Sequence, residues 1–212
     1  MERAYLDEEV SAAQLPRLWV LIMPGTVDVL GVIVLAAGSS RRFGEDDKLL
    51  ADLCNEPLVT FAFQLAANVP AAARLAGVSS EAVADLARAA GLHPIRIPQG
   101  ETQSFSLRAG IKALDPRCDA SLILLGDMPF LLGDDLAKLL EMKAPACAAL
   151  GGKPVVPALL PRAWFDEILT LSEDCGARAL LERTEAYQRL SLPASRLRDI
   201  DEPSDLLGFH EQ

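Results

Sequence analysis

The chain of 212 residues carries 20 Lys and Arg against 30 Asp and Glu, a net charge of −10, with 50% hydrophobic and 24% charged residues. That is one large globular domain or two small ones, with enough apolar material for a substantial core. The acidity excludes a nucleic-acid wrapper, which needs a basic face, and lets a polyanionic small molecule bind only through a local cluster of cations or a metal. Four cysteines (Cys54, Cys118, Cys147 and Cys175) show no CxxC spacing, and only two histidines are present. A zinc site and a disulfide framework are therefore not expected; buried or inert thiols and a cytoplasmic location are.

Residues 1–30 read as a soluble extension of the domain, residues 31–212. Its apolar stretch, Leu18 to Gly25, is too short to span a bilayer, and the residues before it hold more acids than bases, unlike a secretory leader. Met23, just before the first clear strand, would make a tidy start. No membrane partner is expected.

The elements follow in alternation. "DVLGVIVLAAG" is a β-branched apolar run suited to a strand buried on both faces. Thr60 to Asn68 has helical spacing and stops at Pro70. "SSEAVADLARAAGLHPIRIPQG" opens on a serine cap, with a helix ending near Gly91 and the strand "HPIRIP" after it. "TQSFSLRAGIKAL" offers caps and then a helix. "ASLILLGDMPFL" is a second buried strand, stopping at an acid, and "DDLAKLLEMK" is a helix. "GKPVVPALLP" contains prolines and is expected at a sheet edge or crossover. "PRAWFDEILTL" and "CGARALLERT" read as helices, and an acidic turn with Pro203 begins a last one. Strands alternating with helices mean an α/β sheet covered on both faces, with ligands at the carboxyl ends of strands. Two such ends carry chemistry: Gly38 onward, and Gly126–Asp127.

The loop "GSSRRFGEDDK" is not a Walker A loop, since five residues separate Gly38 from Gly44 and Glu45 follows; GxGxxG is absent too. Its ingredients still suit phosphate. Glycines bring backbone N–H groups close to anionic oxygens, Arg42 offers a fork and Lys48 a point charge. Taken alone, it is equally a polar strand-to-helix turn with solvated charges.

"LAAGSSRRFGEDDK" resembles the LAAGxSxRxG…K loop of nucleotidyltransferases with the nucleotide-diphospho-sugar transferase fold, through Leu35, Ala36, Ala37, Gly38, Ser40, Arg42, Gly44 and Lys48. Further segments resemble the molybdenum cofactor cytidylyltransferases: "QGETQSFSLRAGI" is similar to their GxxxSLxxG (Ser106, Leu107, Gly110), "LILLGDMPFL" to LGDxP, "GGKPVV" to GxPV, "SEDCGARALL" to GDxGAR, and "RDIDEPSDL" to DIDTPEDL. The resemblance spans roughly residues 31 to 208, with the motifs in the family's order.

It implies a three-layer α/β/α, Rossmann-like, mostly parallel sheet. It implies transfer of CMP from CTP to the phosphate of the molybdenum-pterin cofactor, with release of pyrophosphate. The loop, Leu35 to Gly38 with Ser40, would hold the triphosphate, and Arg42 and Lys48 would neutralise the leaving group. Ser106 and Gly110 would serve the nucleoside. Asp127 would bind Mg²⁺, with Asp199 or Asp201 as the second metal contact. Gly151, Gly152 and Pro154, with Gly176 and Arg178, would shape the acceptor side. A client molybdenum hydroxylase would receive the product.

The chemistry is consistent: two anions must approach, so positioning and a divalent cation on hard oxygen ligands carry the reaction. On its own, Asp127 also reads as a strand-end turn cap, and "DEPSD" as a plain helix start. Departures from the family pattern are Lys153 for a histidine, Asn55 for a glycine, Glu173–Asp174 for Gly-Asp, and no Asn-Pro before Gln99. They bear on the acceptor more than on the nucleotide chemistry. A guanylyl- or sugar-phosphate nucleotidyltransferase of the same fold, and a non-catalytic cofactor carrier, are the other readings; intact Arg42, Lys48 and Asp127 argue against the carrier.

Overall fold

The computed structural model describes residues 29–38, 43, 47–170 and 178–206. Seven strands form one sheet in the order β5-β4-β1-β6-β8-β7-β9. They are β1 (Leu30–Ala36), β4 (Ala73–Val78), β5 (His93–Arg96), β6 (Ala120–Leu125), β7 (Ala146–Leu150), β8 (Lys153–Pro161) and β9 (Arg189–Ser191). A small ribbon of β2 (Asp52–Leu53) and β3 (Glu56–Pro57) stands apart. The helices are α1 (Leu58–Asn68), α2 (Glu81–Ala89), α3 (Gln103–Ala113), α4 (Gly133–Glu141), α5 (Phe165–Leu169) and α6 (Arg178–Leu181). Within the seven-stranded sheet, pairings are parallel except those of β8, which runs against both β6 and β7.

β1 is buried along its whole length because both of its faces are covered. Val32, Val34 and Ala36 join a core with Val59, Phe63, Val83 and Leu139, from α1, α2 and α4. Ile33 and Leu35, between them in sequence, join a second core with Leu107, Ile111, Phe165 and Leu181, from α3, α5 and α6. Alternating side chains feeding two helical layers is what a period of two dictates for a central parallel strand. The expected three-layer α/β/α arrangement is therefore the one observed.

The helix caps expected from the sequence form. Ser80 Oγ accepts from Val83 N at the start of α2, Thr102 Oγ1 accepts from Phe105 N at the start of α3, and α2 gives way at Gly91 with φ +80°. Cys54 and Asn55 connect β2 and β3 with φ of 55° and 66°. Asparagine tolerates this left-handed backbone, so Asn55 can occupy the turn without the glycine expected there.

Five strands, β2, β3, β4, β7 and β9, were not read from the sequence, and β8 lies elsewhere than at an edge. β4, "ARLAGV", lies between β1 and β5, and β7, "ACAAL", between β8 and β9. Their alanines have weak strand propensity, and pairing with neighbours overrides it. β8 is an interior strand, not an edge. Its prolines are tolerated because β6 pairs only with Ala158 to Pro161, which leaves Pro154 and Pro157 beyond β6, and because the β7 register shifts between Cys147 and Ala148. The helix expected over 161–171 is a 3-10 turn at Arg162–Trp164 followed by short α5, and that expected after Pro203 is 3-10 over Pro203–Leu206. Among the described residues, no helix is long and apolar enough to cross a membrane.

Candidate active site

The chain leaves β1 toward β4 and β5 on one side, then returns through β6 on the other. The carboxyl ends of β1 and β6 therefore flank the point where strand order reverses, the place where open α/β sheets bind ligands. A cleft opens there. Leu35, Ala36, Ala37 and Gly38 line it from β1, Leu125 and Asp127 from β6, Lys48 and Leu49 from the loop after β1, and Glu101, Gln103 and Ser106 from α3 and its approach.

Lys48 is the cleft's described cation. A 3-10 turn over Lys48–Leu50 carries it, capped by Asp47, whose Oδ1 accepts from Leu49 N at 3.1 Å. The other oxygen of Asp47 accepts from Ser80 Oγ at 3.1 Å, which ties this turn to the cap of α2. Lys48 is only 8% exposed. Its ammonium donates to Asp127 Oδ2 at 2.8 Å, to the Ile200 carbonyl at 3.1 Å and to Asp201 Oδ1 at 3.2 Å. Burial disfavours the charged amine, but Asp127 foremost and Asp201 next outweigh it, so the ammonium is held above the ordinary lysine range.

Asp201 reaches the site from the far end of the chain. Ile200 N donates to the Asp127 carbonyl at 3.0 Å, and the Ile200 side chain is buried with Leu53, Leu58 and Leu206. The turn is thus tied to the residue it faces. Asp199, beside it, is exposed.

Of the residues singled out in the sequence, Leu35, Ala36, Ala37, Gly38, Lys48, Ser106 and Asp127 share the cleft, and Asp201 joins them through Lys48. Ser106 is buried there, its hydroxyl donating to the Thr102 carbonyl at 3.3 Å. Gly110 is elsewhere: it faces the sheet under α3, where a Cβ would sit 2.8 Å from Ile33 Cγ2. It lets helix and strand approach and does not line the cleft. Gly151 and Gly152, with φ of 57° and 81°, form the two-residue hairpin turn between β7 and β8, and Pro154 pairs with Ala149. Arg178 is exposed at the start of α6, 3.5 Å from Glu182. None of these last residues lines the cleft. Ser40, Arg42 and Gly176 lie outside the described residues.

Glu101, Gln103 and the Ile200 carbonyl were not anticipated. The first two sit in the same segment as Ser106, so that motif was a signal for them. The third is a backbone group between two noted acids, and no side-chain pattern reveals where a carbonyl points.

The oxygens around the ammonium are hard donors of the kind that hold magnesium through one or two carboxylates together with substrate phosphates. Among the described residues no group of three or more His, Cys, Asp and Glu side chains is placed to hold a metal, so Asp127 and Asp201 form a pair that substrate oxygens would have to complete.

The sequence profile of the MobA-like NTP transferase domain matches residues 32–189. The chain belongs to this family. It is accordingly a nucleotidyltransferase. The MobA-like chain is similar in structure to a homologue, from Mycobacterium sp. strain JC1, of Mycobacterium tuberculosis Rv0371c, with 23% identity over 85% of this chain and 96% of that one, and a TM-score of 0.71. It is also similar to a nucleotidyl transferase from Methanothermobacter thermautotrophicus, with 18% identity, 85% and 95% coverage and a TM-score of 0.69. A third similar structure is CMP:2-keto-3-deoxy-manno-octonic acid synthetase complexed with CTP, with 16% identity, 84% and 95% coverage and a TM-score of 0.62. At these identities the likeness establishes a shared fold. No curated protein matches the chain.

Proposed function

We propose that this MobA-like domain transfers CMP from CTP to the terminal phosphate of a molybdenum-pterin cofactor. The observation that carries the reading is the Lys48 ammonium held between Asp127 and Asp201 at the wall of a cleft on the sheet's switch point. An acceptor phosphate oxygen attacks the α-phosphorus of the nucleotide. A new P–O bond forms, the bond to the bridging α–β oxygen breaks, and pyrophosphate leaves with its negative charge. The "LAAG" end of β1 would present backbone to the phosphates, with Ser40 and Arg42 assigned to the same role by the sequence motif. The three N–H groups of Lys48 are taken up by Asp127, Ile200 and Asp201, so it would exchange part of that set to balance charge on the leaving oxygens. Ser106, buried in the same cleft, would serve the nucleoside. Asp127 and Asp201 would hold a divalent cation, Mg²⁺ foremost, which supplies further charge neutralisation when bound.

CTP is favoured by Leu35-Ala36-Ala37-Gly38, since the guanylyltransferase relatives tend to have LAGG, with glycine at the Ala37 position. The motif resemblance of the GAR stretch and of "GGKPVV" supports the pterin acceptor, and a molybdenum hydroxylase is the client such a product would serve. Isothermal titration of the protein with Mg²⁺ against CTP, GTP, ATP and UTP tests the first half of this reading. Binding of CTP alone is expected. Preference for GTP overturns the base assignment, and no binding to any nucleotide overturns the catalytic reading. Formation of the cytidylylated pterin with equimolar pyrophosphate tests the acceptor.

A further inference from the structure

The turn that delivers Asp201 is held by a residue that never touches the cleft. One oxygen of Asp205, Oδ2, accepts from both Asp201 N and Glu202 N at 2.9 Å. The other, Oδ1, accepts from Arg198 Nη2 at 3.2 Å, and the same nitrogen donates to the Asp205 carbonyl at 3.3 Å. Residues 198 to 205 are thereby closed on themselves, with Ile200 N on Asp127 as the anchor to the site. Within that closed turn, the Asp201 carboxylate and the Ile200 carbonyl face Lys48 together.

The Asp201 side chain is 46% exposed. Packing alone does not fix a carboxylate that exposed, so the backbone that carries it matters to its aim. The Asp201 N–H is held by Asp205.

We infer that Asp205 is a positioning residue: by accepting the Asp201 and Glu202 N–H groups it fixes the turn that aims Asp201 Oδ1 and the Ile200 carbonyl at Lys48. Of the three acceptors described around the ammonium, two depend on that turn, and Asp127 follows the end of β6. Loss of Asp205 therefore loosens Lys48 on one side and leaves the strand end intact. The inference draws on the proposed function only for the consequence in turnover.

The experiment compares Asp205→Ala and Asp205→Asn with the unaltered protein. Asparagine keeps an oxygen able to accept both N–H groups. The main readout is reductive methylation of Lys48 by formaldehyde and a borane, followed by peptide mass spectrometry, with the exposed Lys112 and Lys138 as internal references. Asp205→Ala is expected to methylate Lys48 about tenfold faster, the effect of losing about one net hydrogen bond, with the reference lysines unchanged. Asp205→Asn is expected to stay within about twofold of the unaltered protein, since the accepting oxygen remains. In CTP turnover, Asp205→Ala is expected to lower kcat with KM for CTP nearly unchanged, and Asp205→Asn to restore it.

Protection of Lys48 in Asp205→Ala equal to that of the unaltered protein overturns the inference, as does equal loss of protection in both variants. Should Asp205→Ala not fold, Arg198→Ala replaces it, with a two- to threefold rise in Lys48 methylation expected for a weakened, still closed turn, and no rise overturning the inference. Absence of CTP turnover in every protein, with Lys48 protection in the expected order, supports the positioning role and fails the functional reading alone.

Discussion

The two halves of the sheet are built on different rules. On one side, β5, β4, β1 and β6 run parallel, and the carboxyl ends of β1 and β6 meet at the cleft. On the other, β8 is reversed between β6 and β7, carries prolines, and meets β7 through a tight glycine turn. The parallel half places loop ends side by side, which is where chemistry can be assembled. The half with the reversed strand sends its β7–β8 hairpin tip, Gly151–Gly152, into a position that no described cleft residue shares. The described cleft residues are thus concentrated in one half, and the last turn, with Asp201, returns to them through Lys48.

The sharpest way to break this asymmetry is at the cleft. Lys48→Met is expected to lower kcat at least about 10²-fold, by analogy with loss of one preorganised donor, in a pyrophosphate-release assay. Asp127→Asn should act in the same direction, since it removes the negative charge nearest to a buried ammonium. By contrast, Gly152→Ala should leave nucleotide binding by calorimetry unchanged, because the turn is outside the cleft lining.

Stability ranks the same comparison. Phe63 is fully buried in the core under the parallel half, and Phe63→Ala should cost about 3–5 kcal/mol in urea unfolding. Gly110→Val forces a side chain against Ile33 and should cost about 1–3 kcal/mol, with CTP affinity affected only through α3 moving. Gly152→Ala, at φ +81°, should cost about 1 kcal/mol.

The smallest perturbation is chemical labelling. Burial first, with nearby acids at Cys118, pushes the Cys118 thiol up, and burial pushes the Cys147 thiol up against the hydrogen bond to Thr184. A raised pKa means less thiolate at a given pH, so both should resist a maleimide at pH 8 in the folded protein. The exposed Cys54 should label readily. Rapid folded-state labelling of Cys147, which joins β7 to both β8 and β9, would mean that the reversed half opens more easily than its packing indicates.

The central strands, most helices, the loop after β1 and the acid after β6 were legible as sequence because each rests on a local rule. A β-branched run needs two covered faces, a serine or threonine caps a helix, and an acid at a strand end faces the ligand side. The small strands β4 and β7 were not, because alanine-rich segments take their conformation from their neighbours. β8 was placed at an edge on its prolines, and its interior position follows from where β6 stops pairing.

In the site, Lys48 and Asp127 could be named separately, yet nothing in the chain between these residues, 79 positions apart, states that they touch. Gly110 illustrates the converse: a glycine in a motif was read toward the ligand, and packing turned it toward Ile33. The sequence alone determined the alternating α/β class and which residue types stand at the ends of β1 and β6, since these depend on periodicity and local propensity. Only the tertiary structure decided that Lys48 binds both Asp127 and Asp201. Those contacts join residues far apart in sequence, and depend on the hydrogen bonds that close the turn at residues 198 to 205.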